Sequence, residues 1–189
     1  TAETLRYLLL SVHYRSPAEF SETHIREIQA ALHRVYSAKK KAVALSGVST
    51  DRNEGGSAEE KALAESAERL APTWNEALSD DFNTPKVVAA IFDYVRAFNA
   101  YVDKKGFKPS LQSVKAAKTF LENLENLSQV LNLFGEEAVP FLESLRKTIL
   151  EDRGLDAQQI QALVDRRKKA REEKNFTESD AIRDELLKK

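Results

Sequence analysis

The chain has 189 residues, 42% hydrophobic and 31% charged, with five prolines, six glycines and no cysteine. That size suits one helical domain with an appendage, or two small domains. The lack of cysteine excludes disulfides and thiolate chemistry from these residues, and no apolar run approaches the roughly 20 residues that cross a bilayer. The net charge of −1 excludes a uniformly basic nucleic-acid binder. Charge is uneven, however: residues 24–41 carry five Lys/Arg against one acid, 51–68 six acids against two bases, and 166–174 six bases against two acids. Such asymmetry permits a local anionic partner.

Leu5 to Val12 is apolar almost all round and reads as a short buried helix belonging to something upstream; Ser16-Pro17 ends it, because proline disfavours helix in the residue before it. Ser21 is expected to cap a helix running to about Ser46, with Phe20 and Ile25 at hydrophobic-staple positions. Ile25, Ile28, Leu32 and Val35 supply its buried stripe, and Gly47 stops it. Residues 47–56 are polar, glycine-rich and aperiodic, which predicts a mobile loop.

Ser57 and Glu60 have capping-box spacing for the next helix, whose stripe is Leu63, Ala67, Leu70, Trp74 and Ala77. Pro72 is expected to kink or break it. Asp80 to Asn83 reads as a turn, Thr84 as an N-cap and Pro85 as the first helical residue. Val88, Ile91, Val95, Phe98 and Val102 follow at 3,4,3,4 spacing until Gly106. Ser110 caps a long helix with Val114, Ala117, Leu121, Leu124, Leu127, Leu131 and Phe134 on its buried face and Gly135 at C′. A shorter helix is predicted from Glu137 to Leu150, with Pro140 near its first turn and Gly154 after it. Asp156 and Gln159 box the start of a helix reaching about Lys174, and Thr177 caps a last one through Leu187. Nothing alternates with period two. The reading is all-α: an antiparallel helical bundle with a C-terminal helical hairpin, divided into residues 1–18, 19–135, 136–155 and 156–189.

Catalytic machinery is not expected. There is no glycine-rich phosphate loop and no HExxH, and His24 and His33 lie nine residues apart, on opposite sides of one helix. No catalytic, cofactor or metal residue is assigned. Asp80 and Asp81 read as carboxylates serving a turn and a helix dipole, without a basic partner nearby. Lys39 to Lys41 read as cations at a helix end, and Trp74, Phe92, Phe98 and Phe134 as packing. Two groups could hold RNA. Along the helix from Ala157, the face of Ile160, Leu163 and Val164 continues into Arg167, Arg171 and Lys174, so an apolar stripe becomes cationic. Those cations either meet phosphate or pair with Glu178 and Glu185 of the last helix. His13, Tyr14 and Arg15 combine stacking, hydrogen-bonding and cationic capacity, which suits RNA or a domain interface.

Four segments, in order, resemble cysteinyl-tRNA synthetases of class I. Glu3-Thr4-Leu5-Arg6 is a variant of the Asp-Ala-Leu-Arg signature, with Leu5 and Arg6 matching. His13 to Pro17 with Phe20-Ser21-Glu22, Asp80 to Pro85, and the run Arg167-x-x-Ala170-Arg171-x-x-Lys174-Asn175-Phe176 to Leu186 resemble the same family. The resemblance implies an anticodon-binding bundle of the DALR type over 19–135, with residues 1–18 ending the connection from a catalytic domain. It implies cysteine-specific tRNA and that catalytic domain as partners, a cytoplasmic location, and no chemistry in these residues. ATP and zinc are implied for a part upstream, and a short tryptophan-bearing tail after Lys189. Two alternatives stand beside it: the corresponding region of a related ligase joining cysteine to an amino-sugar, and a helical interaction module without a nucleic-acid role.

Overall fold

The computed structural model describes residues 1–53 and 55–187; Glu54, in the loop expected over 47–56, and Lys188 and Lys189, at the end of the expected hairpin, lie outside the described residues. Among the described residues the regular structure is all helix: α1 (Ala2–Leu10), α2 (Glu22–Ser46), α3 (Ala58–Ser79), α4 (Thr84–Val102), α5 (Leu111–Leu131), α6 (Ala138–Asp152), α7 (Ala157–Glu172) and α8 (Phe176–Leu187). The chain forms two compact units, one from Thr1 to Leu142 and one from Glu143 onward, divided within α6.

In the first unit α3 packs on α4, α2 on α5, and α1 against α2 and α4. Ile28, Leu32 and Val35 of α2, Leu63, Leu70 and Ala77 of α3, Val88, Ile91, Val95 and Phe98 of α4, and Ala117, Leu124 and Leu127 of α5 are all buried, as their spacing predicts. On α5 the fully buried residue after Ala117 is Phe120, while Leu121 is half-buried. Phe120 stacks on Phe98 with ring centroids 4.2 Å apart and lies 5.0 Å from Tyr94. A phenyl ring buries more apolar area than a leucine and gains from ring contact, which turns the helix toward it.

Several expected boundaries shift for local reasons. Helix α3 is continuous through Pro72, which neither breaks nor ends it. Pro72 and Glu68, whose carbonyl the proline leaves without its helical donor, are both exposed, so solvent is available to that carbonyl. The N-cap of α4 is Asn83, whose Oδ1 accepts from Lys86 N at 3.2 Å; Thr84 is already helical. Asn83→Ala is therefore expected to cost about 0.5–2 kcal/mol, and Thr84→Ala under about 0.5, read as shifts of the urea midpoint.

Helix α5 ends at Asn132, in the left-handed region at φ 52°, and not at Gly135. Asparagine tolerates that conformation better than most residues. At α8, Asn175 Oδ1 accepts from Glu178 N at 3.2 Å, and Thr177 lies inside the helix. Phe20 is 72% exposed, so no staple shields it, and α1 buries Tyr7 and Leu8 while leaving Leu5 and Leu9 exposed. The segment after α2 is non-helical but tethered: Leu111 N donates to Arg52 O at 2.9 Å, and Gln112 Nε2 donates to Asn53 Oδ1. The unpaired amides at the start of α5 draw the loop onto it. Glu60 Oε2 accepts from Gly56 N at 3.0 Å and not from the Ser57 amide of the expected box.

In the second unit α7 and α8 pack together, with Ala170, Ser179 and Ile182 buried.

Candidate nucleic-acid interface

The first group of candidates converges on one carboxylate. Residues Asp81 and Phe82 are both left-handed, at φ 53° and 51°. The turn they make is closed by Phe82 N donating to Leu78 O at 3.2 Å and Asn83 N to Ala77 O at 2.9 Å. Asp81 points back at the segment after α1. Its Oδ1 accepts from Tyr14 Oη at 2.8 Å, and its Oδ2 lies 2.9 Å from Arg15 Nη1 and 3.9 Å from His13 Nε2. The His13 and Tyr14 rings stack at 5.0 Å, and the Arg15 guanidinium lies 5.3 Å from the Tyr14 ring centre. Asp81 thus has the basic partners that reading the sequence along one helix start did not supply, since they come from a distant segment of the chain.

The arrangement fastens residues 13–15 to the α3–α4 turn and commits part of the Arg15 charge to Asp81. The hydrogen bond to Asp81 holds the Tyr14 hydroxyl above its ordinary pKa. In Asp81→Asn the phenol should titrate at lower pH, read by phenolate absorbance; an unmoved titration would mean that the bond does not persist in solution.

The second group lies in the α7–α8 hairpin. Glu178 is occupied, by Arg166 at 2.7 Å and by Asn175 Nδ2 at 3.0 Å. The expected hairpin salt bridge therefore exists, but its cation is Arg166 and not Arg167 or Arg171. Lys169 lies 3.9 Å from Glu173, and Arg183 pairs with Asp180 and Asp184. Arg167 is half-buried, and its Nε has no hydrogen-bond partner among the described residues. Arg171 and Lys174 are exposed, and no ion pair joins either to a described residue. Lys174 stands at the corner between the helices, at φ 58°. The apolar part of the expected stripe is only partly covered: Ile160 and Leu163 are half-buried and Val164 is 43% exposed.

The lysines of α2 are not end-of-helix charges, since the helix runs on to Ser46. Lys39 Nζ donates to the carbonyls of Phe134 and Glu136, and Lys41 to Asp103 and Asn99. One group was invisible in the sequence: Glu3 is buried and hydrogen-bonded to Tyr36 and Phe134, and Arg6 Nη1 donates to Asn132 O at 2.8 Å. The resemblance at Glu3 to Arg6 marked the segment without indicating its partners. Among the described residues no group of three or more His, Asp or Glu side chains could hold a metal; the resemblance implies its zinc for a part upstream of them. No helix among them is long and apolar enough to cross a membrane.

Residues 73–135 match the DALR domain family. They run from the second half of α3 to just past α5. The chain is 34% identical to a cysteine–tRNA ligase of Maridesulfovibrio salexigens, over 98% of the chain and 38% of the relative. Relatives of the same description from Geobacter sulfurreducens (36% identical, 98% of the chain, 37% of the relative) and Thermodesulfovibrio yellowstonii (33%, 100% and 37%) match likewise. The chain spans little more than a third of the length of these curated relatives.

Proposed function

With residues 73–135 belonging to the DALR domain family and the whole chain homologous to cysteine–tRNA ligases, we propose that it is the tRNA-holding region of such an enzyme. The parent protein would join cysteine to its tRNA with ATP in the cytoplasm, with the nucleotide and zinc sites outside these 189 residues. The chain itself would carry no catalytic step.

The observation that carries this reading is the pair Arg171 and Lys174, two exposed cations at the α7–α8 corner that no ion pair joins to a described residue, while nearby Glu178 is taken by Arg166 and Glu173 lies against Lys169. Arginine presents a fork of donors suited to phosphate, and a lysine beside it adds a mobile point charge. We assign Arg167, one turn before, to the same site, because its buried Nε has no hydrogen-bond partner among the described residues. His13, Tyr14 and Arg15 are assigned a weaker part, through the exposed ring and guanidinium, because Asp81 already neutralises some of their charge.

Recognition of this kind is by shape and phosphate contact, so it weakens with salt. Fluorescence anisotropy of labelled cysteine tRNA titrated with the purified chain, at about 50 and 200 mM salt, tests it. Binding that falls with salt is expected, and no binding at the lower salt would overturn the reading.

A further inference from the structure

Glu3 is 2% exposed, an unusual place for a carboxylate in the first turn of a helix. It accepts from Phe134 N at 2.6 Å and from Tyr36 Oη at 2.7 Å. Tyr36 Oη in turn accepts from Glu136 N at 3.3 Å. Lys39 Nζ, 5.8 Å from the centre of the Tyr36 ring, donates to Phe134 O and Glu136 O at 2.8 Å each. Arg6, one turn along α1, donates to Asn132 O. Side chains of α1 and α2 therefore grip the short segment between α5 and α6 at three successive points.

That segment holds two non-glycine residues in the left-handed region, Asn132 at φ 52° and Phe134 at φ 63°. For phenylalanine the conformation is strained and persists only where the surroundings determine it. Phe134 is fully buried, its ring packs edge-on to Tyr36 at 6.3 Å, and its amide points at Glu3.

We propose that Glu3 is a positioning latch: its carboxylate selects the left-handed backbone at Phe134, locks α1 to the α5–α6 segment, and so sets the direction in which the chain enters α6. The inference stands apart from the RNA reading and does not depend on it. Stability is not what the charge supplies. Burial raises the Glu3 pKa, and this outweighs the lowering by its two hydrogen bonds and by Arg6; Glu136 adds to the rise. A carboxylate raised in this way favours the folded state most when protonated, below its ordinary value. That contribution is lost as pH rises through the raised value. The buried carboxyl is thus retained for what it orients, a role that buried polar groups can serve.

The test uses Glu3→Gln and Tyr36→Phe in the full 189-residue chain, with amide hydrogen exchange followed residue by residue at pH 7. The glutamine keeps one acceptor for Phe134 N but cannot take the tyrosine proton as a second; the phenylalanine leaves the Glu3 carboxyl and removes one of its donors. Exchange in residues 133–137 is expected to quicken about tenfold or more in each variant while α4 and the middle of α5 keep their protection. The melting temperature of Glu3→Gln should equal or exceed that of the parent. Unchanged exchange in the segment overturns the latch, and so does loosening that merely follows a global loss of stability, including a glutamine variant that does not fold.

Discussion

Replacing Arg171 and Lys174 together by glutamate is expected to lower the affinity of the chain for cysteine tRNA by about ten- to a hundredfold at low salt, and to reduce the slope of log affinity against log salt by about two. The size follows from the neighbourhood. Both side chains are exposed and neither is joined by an ion pair to a described residue, so their charge is available to a ligand. Each phosphate that a cation neutralises releases counterions, so the salt slope measures how many phosphates the chain engages. Exposed positions tolerate the change, so the melting temperature should move little.

Arg166→Ala is the matched control. It frees Glu178, costs at most about 1 kcal/mol as an exposed pair, and leaves the salt slope nearly as it was. Equal tRNA affinity and slope in the doubly reversed variant would remove the hairpin from the interface. Loss of stability without loss of binding would assign the stripe to folding.

Phe98→Ala should cost about 3–5 kcal/mol, and Leu124→Ala about 2–5, both read from urea denaturation. Phe98 is fully buried and stacked on Phe120, and Leu124 lies one turn beyond Phe120 on α5, itself 1% exposed. Truncating either opens a cavity against neighbours fixed by the rest of the bundle. Because the second unit has its own small core, Ile182→Ala should loosen α7 and α8 while leaving the transition of the first unit in place. Coincident loss of both units in every variant would show that they unfold as one.

Much of the architecture was legible because helices announce themselves locally. Apolar residues at three- and four-residue intervals marked the buried faces of α2 and α4, through Ile28, Leu32 and Val35 and through Val88, Ile91, Val95 and Phe98, without naming the buried Tyr36, Tyr94 and Tyr101, and Ser21, Ser57, Ser110 and Asp156 each cap the helix they precede. Where readings slipped, two neighbours were competing for one role. Asn83 and Thr84 are both good caps, and the longer amide side chain of Asn83 reaches Lys86 N from outside the helix. Asn132 and Gly135 can both turn left-handed, and Asn132 comes first.

The all-helical class, most helix starts and stripes, and the similarity to cysteine–tRNA ligases are all written in the order of residues, because each depends on near neighbours in the chain or on matches taken in succession. Which charges are spent and which are left over is a matter of the folded arrangement. Glu178 and Glu185 have equal claims, by position along the chain, to neutralise Arg167 or Arg171; the crossing of α7 and α8 assigns Glu178 to Arg166. Asp81 looks unpartnered until folding brings Tyr14 and Arg15 to it. Glu3 looks like an ordinary first-turn acid until Phe134 arrives from 131 residues away. Pairing across such separations depends on how helices rotate and cross, and those angles are set by the summed packing of the core rather than by any local pattern.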